Sequence, residues 1–282
     1  TDTGNSCTKI ASSGDDIYWR IIRINGDNSI RMIYSGVTAP TESTKVIKTE
    51  DTSLGNSQFN ANSVKAEYVG YMFTVGQQHG TGTDSTIKTY LDNWYANYTD
   101  LNKTGTKITD QIYCNDRTSS TSDVAYSTTN YKTLTSWNST GTQYYYGAYG
   151  RIAKDNNPML TCAVDSDRFT VNKINSKGNG ALNYPIGLIT IDELEMAGNN
   201  FSESNTIEIN TSYYLHTGVN YWAGSPHEFR DGVIAREFDV YGDGYLYYDY
   251  VGYGNGVRGV VSLSSESKLL GSGTYNDVYT VN

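Results

Sequence analysis

YWAGSPHEFRDGVIAREFDVYGDGYLYYDYVGYGNGVRGVVSL, residues 221–263, reads as a series of short strands broken at glycines. Six of the thirteen residues from Tyr241 to Tyr253 are tyrosine. Tyrosine offers a large, rigid contact face at low entropy cost, with a hydroxyl at its tip. YGDG and GYGNG are turn-rich breaks between the runs. The stretch therefore predicts a recognition surface on a rigid sheet rather than a catalytic pocket. In YLYYDYV, strand alternation sends Tyr245, Tyr247 and Asp249 to one face and Leu246, Tyr248 and Tyr250 to the other. Asp249 marks the first face as wet, so Tyr245 and Tyr247 are the better contact candidates. Tyr248 is expected to pack inside, and Tyr250 has both readings. His227, Glu228, Phe229 and Arg230 read as a loop tip joining strands, where binding residues often sit. The candidate ligand-binding set is His227, Phe229, Arg230, Tyr241, Tyr245, Tyr247, Tyr250, Tyr253 and Asn255. Trp222 and Arg258 are assigned to the scaffold, with Arg258 satisfying buried acceptors or a carboxylate.

Upstream, YPIGLITIDELEMAGNN (184–200) predicts a short helix. Thr190 is its N-cap, Glu193 completes a capping box, and Gly198 stops it. Ile191, Leu194 and Met196 supply its apolar side. STIKTYLDNWYANY (85–98) predicts a second helix capped by Ser85. Its Ile87, Leu91, Trp94, Tyr95 and Tyr98 fall at helical spacing, the mark of a core face more than of a ligand groove. At the start, IYWRIIRINGDNSIRMIY (17–34) flanks NGDN with two alternating runs, a hairpin signal. AEYVGYMFTV (66–75) reads as a buried strand, and SYYLH (212–216) as a short one. Residues 100–180 are polar, with isolated apolar clusters, and read as long ordered loops with short strands. In them YYYGAY (144–149) is either packing or contact surface. Neither a repeat period nor a linker is visible. One α+β domain over 1–282 is expected, with two helices beside a short-stranded antiparallel sheet. Its parts are 17–200 and the C-terminal strands 201–282, which hold the binding window 221–256.

The chain carries 28 glycines, 26 tyrosines and only 18% charged residues, with mean hydropathy −0.53. That balance, rich also in Asn, Ser and Thr, favours an extracellular protein. Thr1 opens in polar sequence with no signal peptide, so an exported chain trimmed of its leader is expected. No run approaches the roughly 20 apolar residues of a membrane span. Net charge is −9 and no Lys/Arg cluster occurs, which argues against nucleic acid and anionic membrane surfaces.

Cys114 and Cys162 lie in loop-like contexts and are expected to form a disulfide, leaving Cys7 over. His79, His216 and His227 are scattered, and no CxxC or His-rich spacing suggests zinc. No metal, cofactor or catalytic residue is assigned. A glycosidase needs two carboxylates about 5–9 Å apart across a cleft. The acidic pairs Asp15/Asp16, Glu193/Glu195 and Asp239/Asp243 are better explained by turns and capping. GxSxG, HExxH and phosphate-binding loops do not occur.

Three landmarks stand in order: LITIDELEMAG, YWAGSP and GVRGVVSL. This order resembles the C-type lectin-like fold in its formylglycine-generating-enzyme-like branch. There a short helix carries a leucine, threonine and glutamate, a tryptophan-serine strand follows, and a Gly-Φ-Arg strand closes the sheet. The matching positions are Leu188, Thr190, Glu193, Trp222, Ser225, Gly256, Val257 and Arg258. The chain also resembles surface proteins of gut-type Gram-positive bacteria in WRIIRINGDNSIRMIY, NWY, YCNDR and the ending built on Gly271, Ser272, Gly273, Thr274 and Asp277. Such modules often follow a prepilin-type helix, whose absence fits the abrupt start at Thr1. Proteins of this fold are also targets of diversity-generating retroelements, and 221–256 looks like a diversified window. The oxidase branch uses cysteines or copper ligands, yet no Cys follows residue 163. The calcium-dependent sugar-binding branch uses Glu-Pro-Asn or Gln-Pro-Asp, and neither is present.

The expected function is an extracellular ligand-binding or adhesion protein with a hypervariable recognition surface, carried on a pilus or cell surface. Its partner would be a protein or glycan on another cell or phage. The alternative is a structural subunit that self-assembles into a pilus; a formylglycine-generating-type enzyme is the weakest reading.

Overall fold

The computed structural model describes residues 7–11, 16–41, 50–97, 107–120, 124–126, 129–131, 143–173, 177–201, 211–230 and 232–281. Asp15 and Tyr98 fall outside them. The fold is mixed, with few helices and many mostly antiparallel strands in small sheets.

The opening hairpin forms where the pattern places it. Strands Asp16–Ile24 and Ile30–Tyr34 pair antiparallel around a turn in which Asn28 takes φ 65°. Asparagine tolerates this left-handed region better than most side chains. Asp27 fastens the turn by accepting from the Ser29 amide and hydroxyl. This hairpin is part of a six-stranded sheet. The order is Val260–Leu263, Ile30–Tyr34, Asp16–Ile24, Cys7–Ala11, Tyr279–Val281, Leu269–Leu270. Only the pairing of Cys7–Ala11 with Tyr279–Val281 is parallel.

A second sheet runs Leu246–Tyr250, Ile234–Val240, Tyr221–Arg230, Gly254–Gly256, Asn56–Gln58, and Gln143–Tyr145 also pairs with Tyr221–Arg230. The chain passes from this sheet to the first between Gly256 and Val260. Arg258 lies in that crossing, 1% exposed, and donates to the Tyr34 and Leu215 carbonyls. Its guanidinium also lies 4.7 Å over the Tyr221 ring. Its assignment to the scaffold follows from those contacts.

One core gathers side chains from Ile17 to Leu263. Helix Thr86–Asn97 buries Ile87, Leu91 and Tyr95 in it, and Trp94 packs edge-on against Trp19 and Tyr34. The aromatic stripe is thus a core face. Ser85 caps this helix by accepting from the Lys88 amide at 3.2 Å. Helix Ile191–Met196 begins with the full capping box of Thr190 and Glu193. Beyond it Gly198 takes φ +99°, a conformation that costs other residues strain. Met196 is 49% exposed, so only Ile191 and Leu194 serve the core.

Three expectations need correction. AEYVGYMFTV is not one strand: Ala66–Val69 is a 3-10 turn and only Met72–Phe73 is strand. SYYLH forms turns, in which His216 reaches the Gly242 carbonyl at 2.6 Å. A third helical piece, Gly147–Gly150 continued by a π-turn over Arg151–Asp155, arises inside the segment read as loop. The run YYYGAY packs: Tyr144, Tyr145, Tyr146, Ala148 and Tyr149 are all buried.

Candidate functional site

The long strand Tyr221–Arg230 is at the centre of the site. It continues through the residues expected as a loop tip. Bulges between Trp222 and Glu228 shift its register against Ile234–Val240, and the turn comes later, around Gly232 at φ +74°. His227 and Phe229 are therefore buried, each 1% exposed, and only Arg230 approaches the turn. This corrects their reading as loop residues. Phe229 stacks on Tyr144 at 5.3 Å and leans on Tyr146 at 5.2 Å. His227 stacks on Tyr248 at 3.8 Å and meets Tyr149 and Phe238 edge-on. Neither ring nitrogen of His227 has a hydrogen-bond partner among the described residues. Burial, then the nearby Arg236 charge, pushes its pKa well below the usual imidazole value. Its Nδ1 lies 3.8 Å from Glu228, but a neutral ring makes no ion pair there.

The tyrosines divide by depth. Tyr245 is buried at 7% exposure, against the expectation of a contact role. Tyr241, Tyr247 and Tyr250 are half-buried, and Tyr253 is 55% exposed. Tyr248, expected inside, is also half-buried. The rings form a connected ledge. Tyr241 meets Tyr247 edge-on at 5.2 Å, Tyr247 stacks on Tyr248 at 4.4 Å, and Tyr250 lies 5.2 Å from Tyr253. Successive strand residues point to opposite faces. The Tyr247 and Tyr248 rings nonetheless meet, on Leu246–Tyr250, which is the last strand of its sheet among the described residues.

Arg236 holds the middle of the ledge. Its guanidinium lies over Tyr250 at 4.4 Å and Tyr248 at 5.2 Å. It donates to the Tyr250 hydroxyl at 2.8 Å and pairs with buried Glu228. Cation–π contact and the ion pair together fix both rings. Sequence reasoning missed Arg236. The signal that finds it is register, since Arg236 faces Tyr250 on one side and Glu228 on the other.

Beneath the ledge are carboxylates with altered acidity. Glu237 is fully buried and neither side-chain oxygen has a hydrogen-bond partner among the described residues. Burial raises its pKa well above the ordinary value, with Arg117 pulling the other way. Asp239 is buried, accepts from the Asn255 amide at 2.9 Å through one oxygen, and has no hydrogen-bond partner on the other among the described residues. Burial and then the Asp249 charge raise its pKa well above the usual range. Asn255, a candidate contact residue, is 6% exposed and spends its amide on Asp239. It also lines a polar hollow of about 410 Å³ together with Ser53, Asn56, Asn220 and Gly254, the residue after Tyr253. The ledge thus ends at a hollow rich in amide groups. Burial raises the pKa of Tyr241 to about 12, with Asp239 and Asp249 adding to it, so its hydroxyl stays a donor at neutral pH.

The expected disulfide is present between Cys114 and Cys162. Among the described residues, no group of three or more His, Cys, Asp or Glu is placed to hold a metal ion, and no helix is long and apolar enough to cross a membrane.

No protein-family model matches the chain, and no curated protein or solved structure matches it.

Proposed function

We propose that the chain is an extracellular recognition or adhesion protein on a C-type-lectin-like scaffold, binding a protein or glycan through its tyrosine ledge. The observation that carries this reading is the ledge itself. Tyr241, Tyr247, Tyr248, Tyr250 and Tyr253 stand half-buried to exposed in one connected row, backed by the largely buried strands Tyr221–Arg230 and Ile234–Val240 and pinned by Arg236. Half-buried rings lose little entropy on binding and still offer contact area, as in evolved paratopes. The scaffold reading is supported by contacts among the landmark residues. The Ile191 amide donates to Ser225, Thr190 and Glu193 cap one another, and the Trp222 indole donates to the Ser57 carbonyl.

Joint substitution of Tyr247, Tyr250 and Tyr253 by alanine tests the function. On glycan and protein arrays, the wild-type signal should fall at least about tenfold, as expected when central aromatic anchors are lost. The melting temperature should change little, because Tyr247 and Tyr250 are half-buried on the last strand of the sheet and Tyr253 is 55% exposed in the turn after it. Binding that survives the triple substitution would overturn the proposal.

A further inference from the structure

A second cleft, of about 400 Å³, opens beside the capped helix Ile191–Met196 and shares no lining residue with the tyrosine ledge. Its floor is a set of buried ion pairs. Arg31 meets Glu193 at 2.5 Å, and Arg151 meets Asp116 at 2.7 Å and Asp192 at 3.0 Å. These charges neutralise one another. For Glu193, burial alone would raise the pKa, but Arg31 and Arg23 hold it below the ordinary value, so the floor stays ionised.

The rim is different. Arg23 is 27% exposed and spends only its Nε, on Glu193 at 3.0 Å. Its two Nη groups have no partner among the described residues. Lys177, on the same rim, is exposed and makes no ion pair or hydrogen bond among them. The cleft is lined by five cationic and three acidic side chains, in a chain whose net charge is −9. It is therefore a place where an anion is attracted to an otherwise repelling surface.

Facing these cations is an apolar edge. Met159 and Leu160 are 40% and 48% exposed, consecutive in the chain, and both line the cleft. They are held in place from both sides. The Met159 amide donates to Asp192 at 2.8 Å, and two residues on, Cys162 is bonded to Cys114, which also lines the cleft. A mobile loop would bury such residues by collapsing; this one presents them.

We infer that this cleft binds a small amphipathic organic anion, its carboxylate taken by Arg23 and Lys177 and its apolar body lying against Met159 and Leu160. Arginine donates to a carboxylate in a fork, lysine as a point charge, and thioether and leucine side chains accept varied apolar shapes.

The test is a chemical-shift titration of the intact chain with three soluble probes: 4-phenylbutyrate, 4-phenylbutylammonium and acetate. Phenylbutyrate should saturate and shift the amides of Arg23, Met159, Leu160 and Lys177. Phenylbutylammonium, which has the same body and the opposite charge, should bind at least about tenfold more weakly, and so should acetate, which lacks the body. Arg23→Gln combined with Lys177→Gln should weaken phenylbutyrate by about tenfold. Lys177→Gln alone, on an exposed side chain, should weaken it about threefold in a protein whose fold is untouched. Absence of saturation by about 10 mM phenylbutyrate, a free energy weaker than about 3 kcal/mol, would overturn the inference. Equal binding of the ammonium probe, or unchanged affinity in the double variant, would do the same. The Tyr247, Tyr250 and Tyr253 substitutions should leave this titration as in wild type, so this result and that of the ledge are read separately.

Discussion

At the scale of single residues, the tyrosine ledge rests on two titrating groups that pull in opposite directions with pH. The Glu237 carboxyl group is buried without a hydrogen-bond partner among the described residues, and its folded-state pKa lies well above that of the unfolded chain. A group of that kind contributes stability that is full below about pH 4.5 and is lost as pH rises toward and through the folded value. Glu237→Gln keeps the shape and removes the charge. Its stability should match wild type near pH 4 and exceed it at pH 8 by about 1–3 kcal/mol in urea unfolding. An equal difference at both pH values would mean that Glu237 does not titrate as described. For His227 the sign reverses. Burial holds its folded pKa well below 6.5, so its contribution is present above pH 6.5 and lost as pH falls below it. His227→Phe retains the stacking on Tyr248 and has nothing to protonate. Relative to wild type it should gain up to about 1.4 kcal/mol per pH unit below 6.5, read from melts at pH 7.5 and pH 5. A constant difference across that range would place the acid sensitivity elsewhere. Neither group was legible as buried in the sequence, because HEF and REF sit among polar neighbours. Their depth comes from strands on both sides.

At the scale of elements, the capped helix and the long strand show what local pattern conveys and what it misses. The Thr190–Glu193 capping box is a local arrangement and was legible as such. Sequence could not tell that the same Glu193 also closes two ion pairs, with Arg31 at 2.5 Å and Arg23 at 3.0 Å, both from the opening hairpin far off in the chain. The two roles separate by substitution. Thr190→Ala should cost about 1 kcal/mol, as the loss of an N-cap. Glu193→Gln should cost about 3–5 kcal/mol, because Arg31, 1% exposed, is left as an uncompensated buried charge. Equal costs would show that capping alone matters. The long strand was harder to read. Residues 227–230 have the polar composition of a loop, but bulges around Pro226 let the strand carry them inward, and a bulge has no sequence signature here. The same bulges set Arg236 opposite Glu228, and the regular pairing with the next strand sets it opposite Tyr250.

At the scale of the whole molecule, the two sheets are joined by the Gly256–Val260 crossing, and the disulfide ties together segments whose backbone is mostly loop. Cys114 and Cys162 are separated by 48 positions, and restraining a loop of that length should stabilise the fold by about 4 kcal/mol through the unfolded state. Reduction should therefore lower the urea midpoint markedly while leaving strand content, read by far-ultraviolet circular dichroism, intact below the new midpoint. A midpoint unchanged by reduction would show that the long loops are held by packing alone. The core reading of the Ile87, Leu91 and Tyr95 stripe belongs to this scale as well, and the same residues now close one side of the core.

The sequence by itself determined the mixed class, the opening hairpin, both capped helices, the cysteine pair and the presence of a tyrosine-rich surface. Each of these rests on turn residues, caps or periodicity, which act over a few positions. Only the tertiary structure decided which tyrosines face solvent, that His227 and Phe229 lie inside, and that Arg236 pins the ledge. Those outcomes depend on strand register, on a bulge and on which strand is left at the edge of its sheet. A shift of one residue in register exchanges one face for the other, and nothing in the local sequence fixes that choice.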